Sequence, residues 1–387
     1  MWWNSDFDHH PKRHRVGRHA TIDLGNGLEL RLLHGCGYRS HISFARLRDH
    51  RQVARAFLDQ AAGQPPPDAI VAAYPTIELA DACRQFAVPR GIPVALDIRD
   101  LWPDIFADAL PAALRAIAQV GLWNYNRIAR RALGSADALI GVTDPYLAWG
   151  LAKAGRERRA LDAVIPFAYP IPEGGESEAD VAYWKGQGID PDRQLVICFF
   201  GTFGRQFDLG TVIEAARQMA SVGDIAVRFV LCGAGDRLES YRSLAAGTPL
   251  VLFPGWIDAP RIRGLMALSH LGLAPYYPNR NFIGNLPNKP IEYMSAGVPI
   301  LTCLDGVLAD TVRREGIGLV YRSGDPASLV AAVRAAQADR MQLVGMGSRA
   351  RDLFDRCYRS DIVMEQYRQF ILRLADSRRA AHTESPT

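Results

Sequence analysis

The chain has 387 residues, of which 48% are hydrophobic and 22% charged, and 45 Lys and Arg against 41 Asp and Glu leave a net charge of +4. This composition excludes disordered, collagen-like and disulfide-framework proteins, and the near balance of charge argues against a dedicated nucleic-acid binder. The length fits two domains better than one, because single hydrophobic cores rarely grow beyond about 250–300 residues.

The six cysteines are scattered and include no C-x-x-C pair, which favours reduced thiols. No apolar run approaches the roughly 20 residues that span a bilayer, and the N-terminus lacks the apolar stretch of a secretory signal. These patterns predict a cytoplasmic protein.

In the first half of the chain, short apolar runs alternate with longer helical patterns, which is typical of a parallel sheet with crossover helices. The predicted strands are Leu28–Leu33, Ala69–Ala73, Pro93–Leu96 and Ala138–Val142, and the clearest helices are Phe44–Gln60 and Leu114–Leu133.

Met1–Trp3 has the pattern of the end of a strand. A doubly wound domain normally opens with a strand, a glycine-bearing turn and a helix, so the first βα unit is expected to be missing.

The stretch Pro166–Gly175 carries no periodicity and is predicted to join two domains. The alternation then restarts. The predicted strands are Gln194–Phe200, Ala226–Cys232, Leu250–Phe253, Leu271–Ala274 and Pro299–Cys303. The predicted helices are Leu209–Ala220, Arg261–Leu268, Lys289–Ala296, Ala327–Ala336 and Ile362–Leu374, with a polar tail from Ala375. The sequence therefore predicts two doubly wound α/β domains, residues 1–168 and 169–360, followed by a helix and tail at 361–387.

A first candidate site follows the predicted strand that ends at Phe200, in the segment FFGTFGRQFD. Gly201 and Gly204 would let the backbone approach an anion, the helix N-terminus after them would attract it, and Arg205 would supply a forked cation. An ordinary strand-to-helix turn with a solvated arginine explains the same residues equally well.

A second candidate site lies in NLPNKPIEYMSAGVP, residues 285–299. Asn288 and Pro290 suit a helix start, and Gly297 with Pro299 stops the helix after about two turns. Lys289 at the helix N-terminus could neutralise a phosphate, and Glu292 one turn later could accept hydrogen bonds from ribose hydroxyls. The alternative is a surface helix in which the two side chains pair with each other.

These residues resemble a known family. Pro287, Lys289, Glu292, Tyr293, Met294, Gly297 and Pro299 match the P-x-K-x-x-E-Y-M-x-x-G-x-P motif of the retaining glycosyltransferases of family 4. The chain is similar to the branch that builds bacterial surface polysaccharides, including N-acetylfucosaminyltransferase-like proteins. That likeness depends on DIRDLWPDIF (Asp97–Phe106), SDFDHHPKRHR near the N-terminus and SADALIGVTDPYLAWGL (Ser135–Leu151).

The resemblance implies the GT-B fold, with two facing Rossmann-like domains and an interdomain cleft. The N-terminal domain would be the acceptor side, the C-terminal domain would bind the nucleotide-diphosphate sugar, and the last helix would cross back to the N-terminal domain. The implied donor-binding residues are Gly201, Phe203, Gly204, Arg205, Trp256, Ile257, Asn285, Pro287, Asn288, Lys289 and Glu292. Glu292 would hold the ribose, Arg205 and Lys289 the diphosphate, and the turn at Gly255–Ile257 would flank the base.

The chain departs from the family at one donor-side position. Many members carry a second glutamate eight residues before the ribose-binding one, where this chain has Gly284. Asn281 or Asn285 would then contact the sugar. Trp256 has an alternative interpretation as a buried aromatic after a strand.

On the acceptor side, Asp97, Arg99 and Asp100 follow a predicted strand and are the candidate catalytic residues, because open α/β sheets bind ligands at strand carboxyl ends. Relatives often carry histidine where Arg99 stands, and arginine cannot accept a proton. That fits a front-face retaining reaction in which the leaving diphosphate takes the acceptor proton. The alternative is a structural ion-pair cluster.

Seven of the nine histidines lie in the first fifty residues, among them His9, His10, His14 and His19. Neighbouring Lys and Arg residues and the absence of a completing cysteine or carboxylate argue against a metal site, so neither a metal nor a cofactor is expected. A solvated basic loop is the default. Alternatively, the loop and the basic run Arg127–Arg131 face anionic lipid and a polyprenyl-diphosphate acceptor, which would place the protein peripherally on the inner membrane face.

The leading hypothesis is therefore a hexosyltransferase-type enzyme that moves a sugar from a nucleotide-diphosphate donor to a lipid-linked or growing glycan, with retention. Two alternatives stay open: a non-catalytic glycosyltransferase-like subunit and a nucleotide-sugar 2-epimerase of the same fold.

Overall fold

The computed structural model describes residues 1–9, 11–40, 43–108, 110–171 and 178–383. The chain divides into two compact units. The N-terminal unit comprises Met1–Ile165 together with the chain from Gln366 onward, and the C-terminal unit comprises Pro166–Glu365.

The N-terminal unit contains nine strands and six complete helices within the described residues. The strands are β1 (Trp2–Ser5), β2 (Phe7–Asp8), β3 (Arg13–His14), β4 (Ala20–Asp23), β5 (Glu29–Leu33), β6 (Ile70–Tyr74), β7 (Val94–Ile98), β8 (Ala138–Gly141) and β9 (Ala163–Val164). The helices are α1 (Phe44–Ala61), α2 (Ile77–Ala87), α3 (Asp104–Asp108), α4 (Ala112–Gly121), α5 (Trp123–Ser135) and α6 (Asp144–Ala154).

Three sheets form in this unit. The largest is all parallel, with strand order β6-β7-β8-β9, and every residue of β7 and β8 is buried. A smaller mixed sheet has the order β1-β5-β4, with β1 parallel and β4 antiparallel to β5. Strands β2 and β3 pair as a separate antiparallel ribbon.

The C-terminal unit contains nine helices and six strands among its described residues. The helices are α7 (Glu178–Gly186), α8 (Leu209–Ser221), α9 (Leu238–Leu244), α10 (Ala259–Ala267), α11 (Arg280–Ile283), α12 (Asn288–Ser295), α13 (Val307–Glu315), α14 (Pro326–Ala338) and α15 (Arg340–Cys357). The strands are β10 (Leu195–Phe200), β11 (Val227–Cys232), β12 (Val251–Gly255), β13 (Leu271–Ala274), β14 (Ile300–Thr302) and β15 (Gly318–Val320).

These six strands form one parallel sheet in the order β12-β11-β10-β13-β14-β15. All six residues of the central strand β10 are buried, as expected for a parallel strand covered on both faces. The strand order reverses between β10 and β13, which is the topological switch point of a Rossmann-like sheet. The predicted α/β class with parallel, Rossmann-like sheets is confirmed.

Three local expectations need correction. The single helix predicted over Leu114–Leu133 is two helices, α4 and α5, which meet at Leu122 directly after Gly121, a poor helix former. The predicted polar tail is helical, because α16 (Ser360–Thr383) continues through residues rich in alanine and arginine. At the N-terminus, β1 extends to Ser5 and pairs with β5 over its whole length.

Candidate functional site

The candidate donor site lies at the carboxyl ends of β10 and β13, where the strand order of the C-terminal sheet reverses. Open α/β sheets bind ligands at this point, because the loops that leave two neighbouring strands part there. The loop from Gly201 to Asp208 leaves β10, and the chain after β13 leads through α11 into α12. The structure thus brings the two segments that the sequence singled out to one edge of one sheet.

Gly201 and Lys289 meet at the centre of this edge. A Cβ atom at position 201 would lie only 2.4 Å from Nζ and 2.7 Å from Cε of Lys289, so the lysine side chain packs directly on the glycine backbone. Gly201 has φ +154°, a conformation that side-chain-bearing residues rarely adopt. Gly233 packs against the same residue from the next loop, where a Cβ would lie 1.8 Å from the Gly201 carbonyl oxygen.

The Lys289 ammonium lies among aromatic rings. Nζ is 5.5 Å from the ring centre of Phe199, 5.7 Å from that of Phe200 and 5.5 Å from that of Phe207. Burial lowers the pKa of Lys289, and the nearby Glu292 carboxylate partly offsets this. Within the described part of the chain, no carboxylate oxygen lies within ion-pair distance of Nζ. The inward-facing cation therefore has no close counter-ion among the residues that the structure describes.

Glu292 is held by a residue that the sequence did not single out. The Tyr169 hydroxyl donates a hydrogen bond of 2.7 Å to Glu292 Oε1. Burial raises the pKa of Glu292, whereas the Tyr169 hydrogen bond and the Lys289 charge lower it. Tyr169 is itself fixed, since its amide donates to the Tyr358 carbonyl and its carbonyl accepts from the Ser360 amide. Its only sequence signal was its place in the non-periodic stretch Pro166–Gly175.

The two helix N-termini at this edge differ. Helix α12 begins at Asn288, one residue earlier than expected, and its N-cap residue Pro287 makes no side-chain capping bond. Helix α8 is capped by the buried Asp208 carboxylate, which accepts from the Thr211 amide at 3.2 Å and from the Tyr277 hydroxyl at 3.2 Å. A carboxyl group therefore already caps the α8 terminus, and the expectation that this terminus attracts a diphosphate stays a prediction.

Backbone hydrogen bonds hold the loop after β10 in place. The amides of Gly201, Phe203 and Gly204 donate to the carbonyls of Cys232, Ala234 and Thr202. These amides, which were expected to bind an anion around Gly204, are therefore already hydrogen-bonded within the protein. Phe203 is fully buried against Phe199, Tyr241 and Phe253, so its side chain supports the loop. Arg205 is exposed, and no hydrogen bond or ion pair fixes it among the residues described.

Asn285 is a buried polar residue whose side-chain acceptor is unsatisfied among the described residues. It is 9% exposed, and its Oδ1 has no donor within the described chain. Pro287 is buried and Asn288 is exposed on the first turn of α12. An orphaned buried acceptor costs stability unless a ligand or water supplies a donor.

The turn after β12 presents an aromatic face. Trp256 is 75% exposed, so its interpretation as a buried aromatic is wrong. Ile257 beside it is buried and anchors the turn, and Gly255 has φ +87°. An exposed indole on an anchored turn offers a flat apolar surface of the kind on which a nucleobase stacks.

In the N-terminal unit, the acceptor-side candidates bond one another. Asp97 is buried at the end of β7, and its Oδ2 accepts from Arg99 at 2.7 Å and from the Tyr367 hydroxyl at 2.7 Å. Asp100 accepts from the Leu101 amide and the Trp102 indole N–H. Asp97 Oδ1 remains buried without a partner among the described residues. The local geometry is that of a structural cluster with one open acceptor, and Tyr367 was missing from the sequence-based set.

The N-terminal histidines are not all in a solvated loop. His14 and His34 both contact the buried Asp6 carboxylate, and His9 bonds the Tyr38 hydroxyl. Asp6 is the completing carboxylate that sequence spacing did not reveal. His10 lies outside the described residues.

A surface feature accompanies the basic run Arg127–Arg131. Leu114, Ile117 and Val120 on α4 and Trp123 at the start of α5 are exposed. None of the helices in the described chain combines the length and the apolar character that crossing a bilayer requires.

Residues 194–339 match the family model described as glycosyl transferases group 1. No curated protein matches the sequence. Among solved structures, sucrose-phosphate synthase from Thermosynechococcus elongatus is similar over 97% of this chain and 88% of its own, with a TM-score of 0.73 and 18% identity. Anabaena HepE in complex with UDP and glucose is similar over 88% of this chain and 85% of its own, with a TM-score of 0.64 and 16% identity.

WaaG, a glycosyltransferase involved in lipopolysaccharide biosynthesis, is similar over 79% of this chain and 91% of its own, with a TM-score of 0.53 and 15% identity. Identities this low establish a shared fold. The matched domain at residues 194–339 and the fold shared with these structures together support a GT-B glycosyltransferase.

Proposed function

We propose that this protein is a retaining hexosyltransferase of the family 4 type that uses a nucleotide-diphosphate sugar as donor. The observation that carries the proposal is the Lys289 ammonium, which lies against Gly201 at the switch point without a close carboxylate among the described residues. A largely buried cation without a counter-ion favours an anionic ligand, because desolvating a charge is costly unless it is paired. The N-terminus of α12, which its N-cap residue Pro287 does not cap with a side chain, adds partial positive charge at the same point.

The surrounding residues fit the rest of such a donor. Glu292 would accept hydrogen bonds from the ribose hydroxyls while the Tyr169 hydroxyl donates to its Oε1. The exposed Trp256 indole would stack on the base. Asn285 Oδ1 would accept from a sugar hydroxyl, taking over from the glutamate that Gly284 replaces. A solved structure of HepE holds UDP-glucose, which supports a donor of this class.

For the reaction, we propose front-face retention in which the leaving diphosphate receives the acceptor proton. Lys289 would stabilise the charge that develops on the diphosphate, which is the main task of such a site. Asp97, with its open Oδ1, would orient an acceptor hydroxyl, whereas Arg99 and Asp100 would hold the cluster in shape. No resident metal or cofactor is proposed for this step.

We further propose a lipid-linked or growing glycan as acceptor, in bacterial surface polysaccharide synthesis, with peripheral membrane contact. The likeness to WaaG supports the polysaccharide role. The apolar face Leu114, Ile117, Val120 and Trp123 lies in sequence beside Arg127 and Arg130. That arrangement favours an anionic lipid surface, which takes up apolar side chains and attracts nearby cations.

The test is donor binding by Lys289→Met, which keeps the length of the side chain and removes its charge. Loss of a charge-assisted contact should weaken UDP, GDP or dTDP binding roughly 10- to 150-fold and leave nucleoside binding nearly unchanged. Lys185→Met on α7, an exposed lysine of the same unit, is the matched control and should bind as wild type does. Isothermal titration measures both.

Equal affinity of wild type and Lys289→Met for every nucleoside diphosphate would contradict the proposal. Product analysis then identifies the reaction. Transfer or hydrolysis with retained configuration supports the glycosyltransferase, donor binding without turnover identifies a non-catalytic subunit, and a change of configuration at C2 identifies an epimerase.

A further inference from the structure

A second cluster of chemistry-bearing side chains lies in the N-terminal unit. Asp6 Oδ2 is 3.0 Å from His14 Nδ1 and 2.9 Å from His34 Nδ1, and the three atoms all lie within 4.8 Å of one another. We propose that Asp6, His14 and His34 form a binding site for one divalent transition-metal ion, with Zn²⁺ the best match to the ligands.

The strand pairing explains why three residues far apart in sequence meet. Asp6 follows β1, whose last residue Ser5 pairs with Leu33 of β5, so His34 comes directly beside Asp6. Strands β2 and β3 pair antiparallel with Phe7 opposite His14, which returns His14 to the same place. Backbone hydrogen bonds fix both approaches, from the Asp6 amide to the Leu33 carbonyl and from the Arg15 amide to the Asp6 carbonyl.

The geometry is close to that of a bound ion. Zinc lies about 2.0–2.1 Å from imidazole nitrogen and about 2.0–2.2 Å from carboxylate oxygen, so two ligands of a tetrahedral ion are roughly 3.3 Å apart. The observed separations from Asp6 Oδ2 of 3.0 and 2.9 Å need to open by only a few tenths of an ångström. Three protein ligands leave a fourth position for water or a substrate oxygen.

The surroundings also suit a cation. Asp6 is fully buried, and its carboxylate is oriented by the amides of Val16 at 2.8 Å and Gly17 at 3.0 Å, an outer set of donors of the kind that orients metal ligands. A second buried acidic side chain, Asp49, accepts from the Gly37 amide at 2.7 Å and lies against Gly35, the residue after His34. A buried carboxylate paired with two imidazoles forms an environment that a divalent charge stabilises.

The ligand set also selects the ion. Imidazole nitrogen favours zinc and its neighbours among the transition metals, whereas magnesium and calcium require mainly oxygen ligands. The competing explanation is a metal-free cluster in which both Nδ1–H groups donate to Asp6. Metal binding distinguishes the two.

The experiment uses the full chain, stripped with a chelator and titrated with Zn²⁺ alone in competition with a chromophoric chelator. One equivalent of Zn²⁺ should bind, and Asp6→Asn, His14→Ala and His34→Ala should each weaken binding at least 10-fold. The matched control is Asp23→Asn, which neutralises an exposed carboxylate on β4 of the same unit and should bind as wild type does. An excess of Mg²⁺ should not compete.

Co²⁺ substitution tests the site in the unaltered protein, so the result does not depend on the variants folding. Intense visible absorption bands of low-coordinate Co²⁺ should appear at one equivalent and disappear on adding Zn²⁺. Absence of stoichiometric binding, or binding that the ligand variants leave unchanged, would overturn the proposal in favour of the hydrogen-bonded cluster. Equal loss in Asp23→Asn would overturn the three-residue site.

Discussion

Gly201 is the residue on which the position of Lys289 depends most directly. In Gly201→Ala, the new methyl group would start 2.4 Å from Lys289 Nζ on a backbone with φ +154°, so the lysine must move away. We expect nucleoside diphosphate affinity to fall at least 10-fold, together with a loss of roughly 1–3 kcal/mol in the free energy of unfolding from backbone strain. Titration calorimetry and urea unfolding measure the two effects.

Gly210→Ala is the matched control for that substitution. Gly210 lies in α8, and the nearest atom to an added Cβ, Asp208 Oδ1, is 3.7 Å away. Alanine there should keep donor affinity and add up to about 1 kcal/mol of stability. Unchanged donor binding in Gly201→Ala would show that the role of Lys289 in donor binding does not depend on its contact with Gly201.

The burial of His50 makes the stability of the fold depend on pH. Burial, with the nearby charges of Arg46 and His9, lowers the pKa of His50 from 6.5 to about 4. As the pH falls from 6.5 to 4, the unfolded chain binds a proton that the folded chain cannot, so the folded state loses stability in this window. The loss amounts to about 3 kcal/mol at most.

We expect His50→Gln to remove this part of the acid sensitivity. Between pH 7 and pH 4, the free energy of unfolding of wild type should fall relative to that of the variant, as measured by urea unfolding at several pH values. Thr21→Gln, at an exposed residue of β4 that does not titrate, should keep the wild-type slope. Parallel curves for wild type and His50→Gln would show that His50 titrates alike in both states.

At the scale of elements, α4 presents the apolar face on which the proposed membrane contact depends. Ile117 and Val120 are 69% and 77% exposed. Replacing both with glutamine should weaken binding to phosphatidylglycerol vesicles at least 10-fold, because two apolar side chains lose their burial in lipid. Vesicle co-sedimentation measures the change.

Val344→Gln on α15 is the matched control, because that valine is also exposed at 63% on a different helix. It should leave vesicle binding unchanged. Binding that is equally strong to neutral phosphatidylcholine vesicles, or unaffected by the α4 substitutions, would count against an anionic lipid surface.

Helix termini show how far local sequence predicts an element's role. The start of α8 was expected to attract a diphosphate, yet Asp208 caps it and already supplies negative charge. Asp208 is a strong N-cap residue type, so the signal was present in FFGTFGRQFD itself. Helix α12 differs because its N-cap residue is Pro287, which has no side-chain acceptor. The type of N-cap residue therefore distinguishes the two helix N-termini better than the glycines in the preceding loops do.

At the scale of the molecule, Tyr367 ties the end of the chain into the N-terminal unit. Its hydroxyl donates to Asp97 at 2.7 Å and accepts from Arg99 at 3.1 Å. Tyr367→Phe should cost about 1 kcal/mol locally, which corresponds to roughly fivefold faster amide exchange in α16 beyond Gln366. Hydrogen–deuterium exchange with mass spectrometry measures it.

Tyr183→Phe controls for loss of a tyrosine hydroxyl elsewhere. Tyr183 packs its ring against the Arg261 guanidinium, and that contact does not need the hydroxyl. Exchange in α16 should stay at the wild-type rate. If Tyr367→Phe also left exchange unchanged, the bonds to Asp97 and Arg99 would contribute nothing to holding this segment.

Most of the two parallel sheets could be predicted from sequence, because buried parallel strands are short apolar runs that need no partner to be recognised. Strand β10, predicted at Gln194–Phe200, is observed at Leu195–Phe200. Within the candidate donor site, the motif placed Lys289 and Glu292 on one short helix, as observed. Phe203 was among the donor-binding residues that the family resemblance implied, and the structure places its side chain in the core.

By itself, the sequence determined the α/β class, the short helix that carries Lys289 and Glu292, and the glycine-bearing turn after Phe200, because periodicity, capping and turn chemistry act over a few residues. The tertiary structure alone decided that Tyr169 holds Glu292, that Tyr367 binds Asp97 and that Asp6 meets His14 and His34. Those contacts depend on strand pairing and packing between distant segments, and local patterns carry no information about which distant side chains will meet.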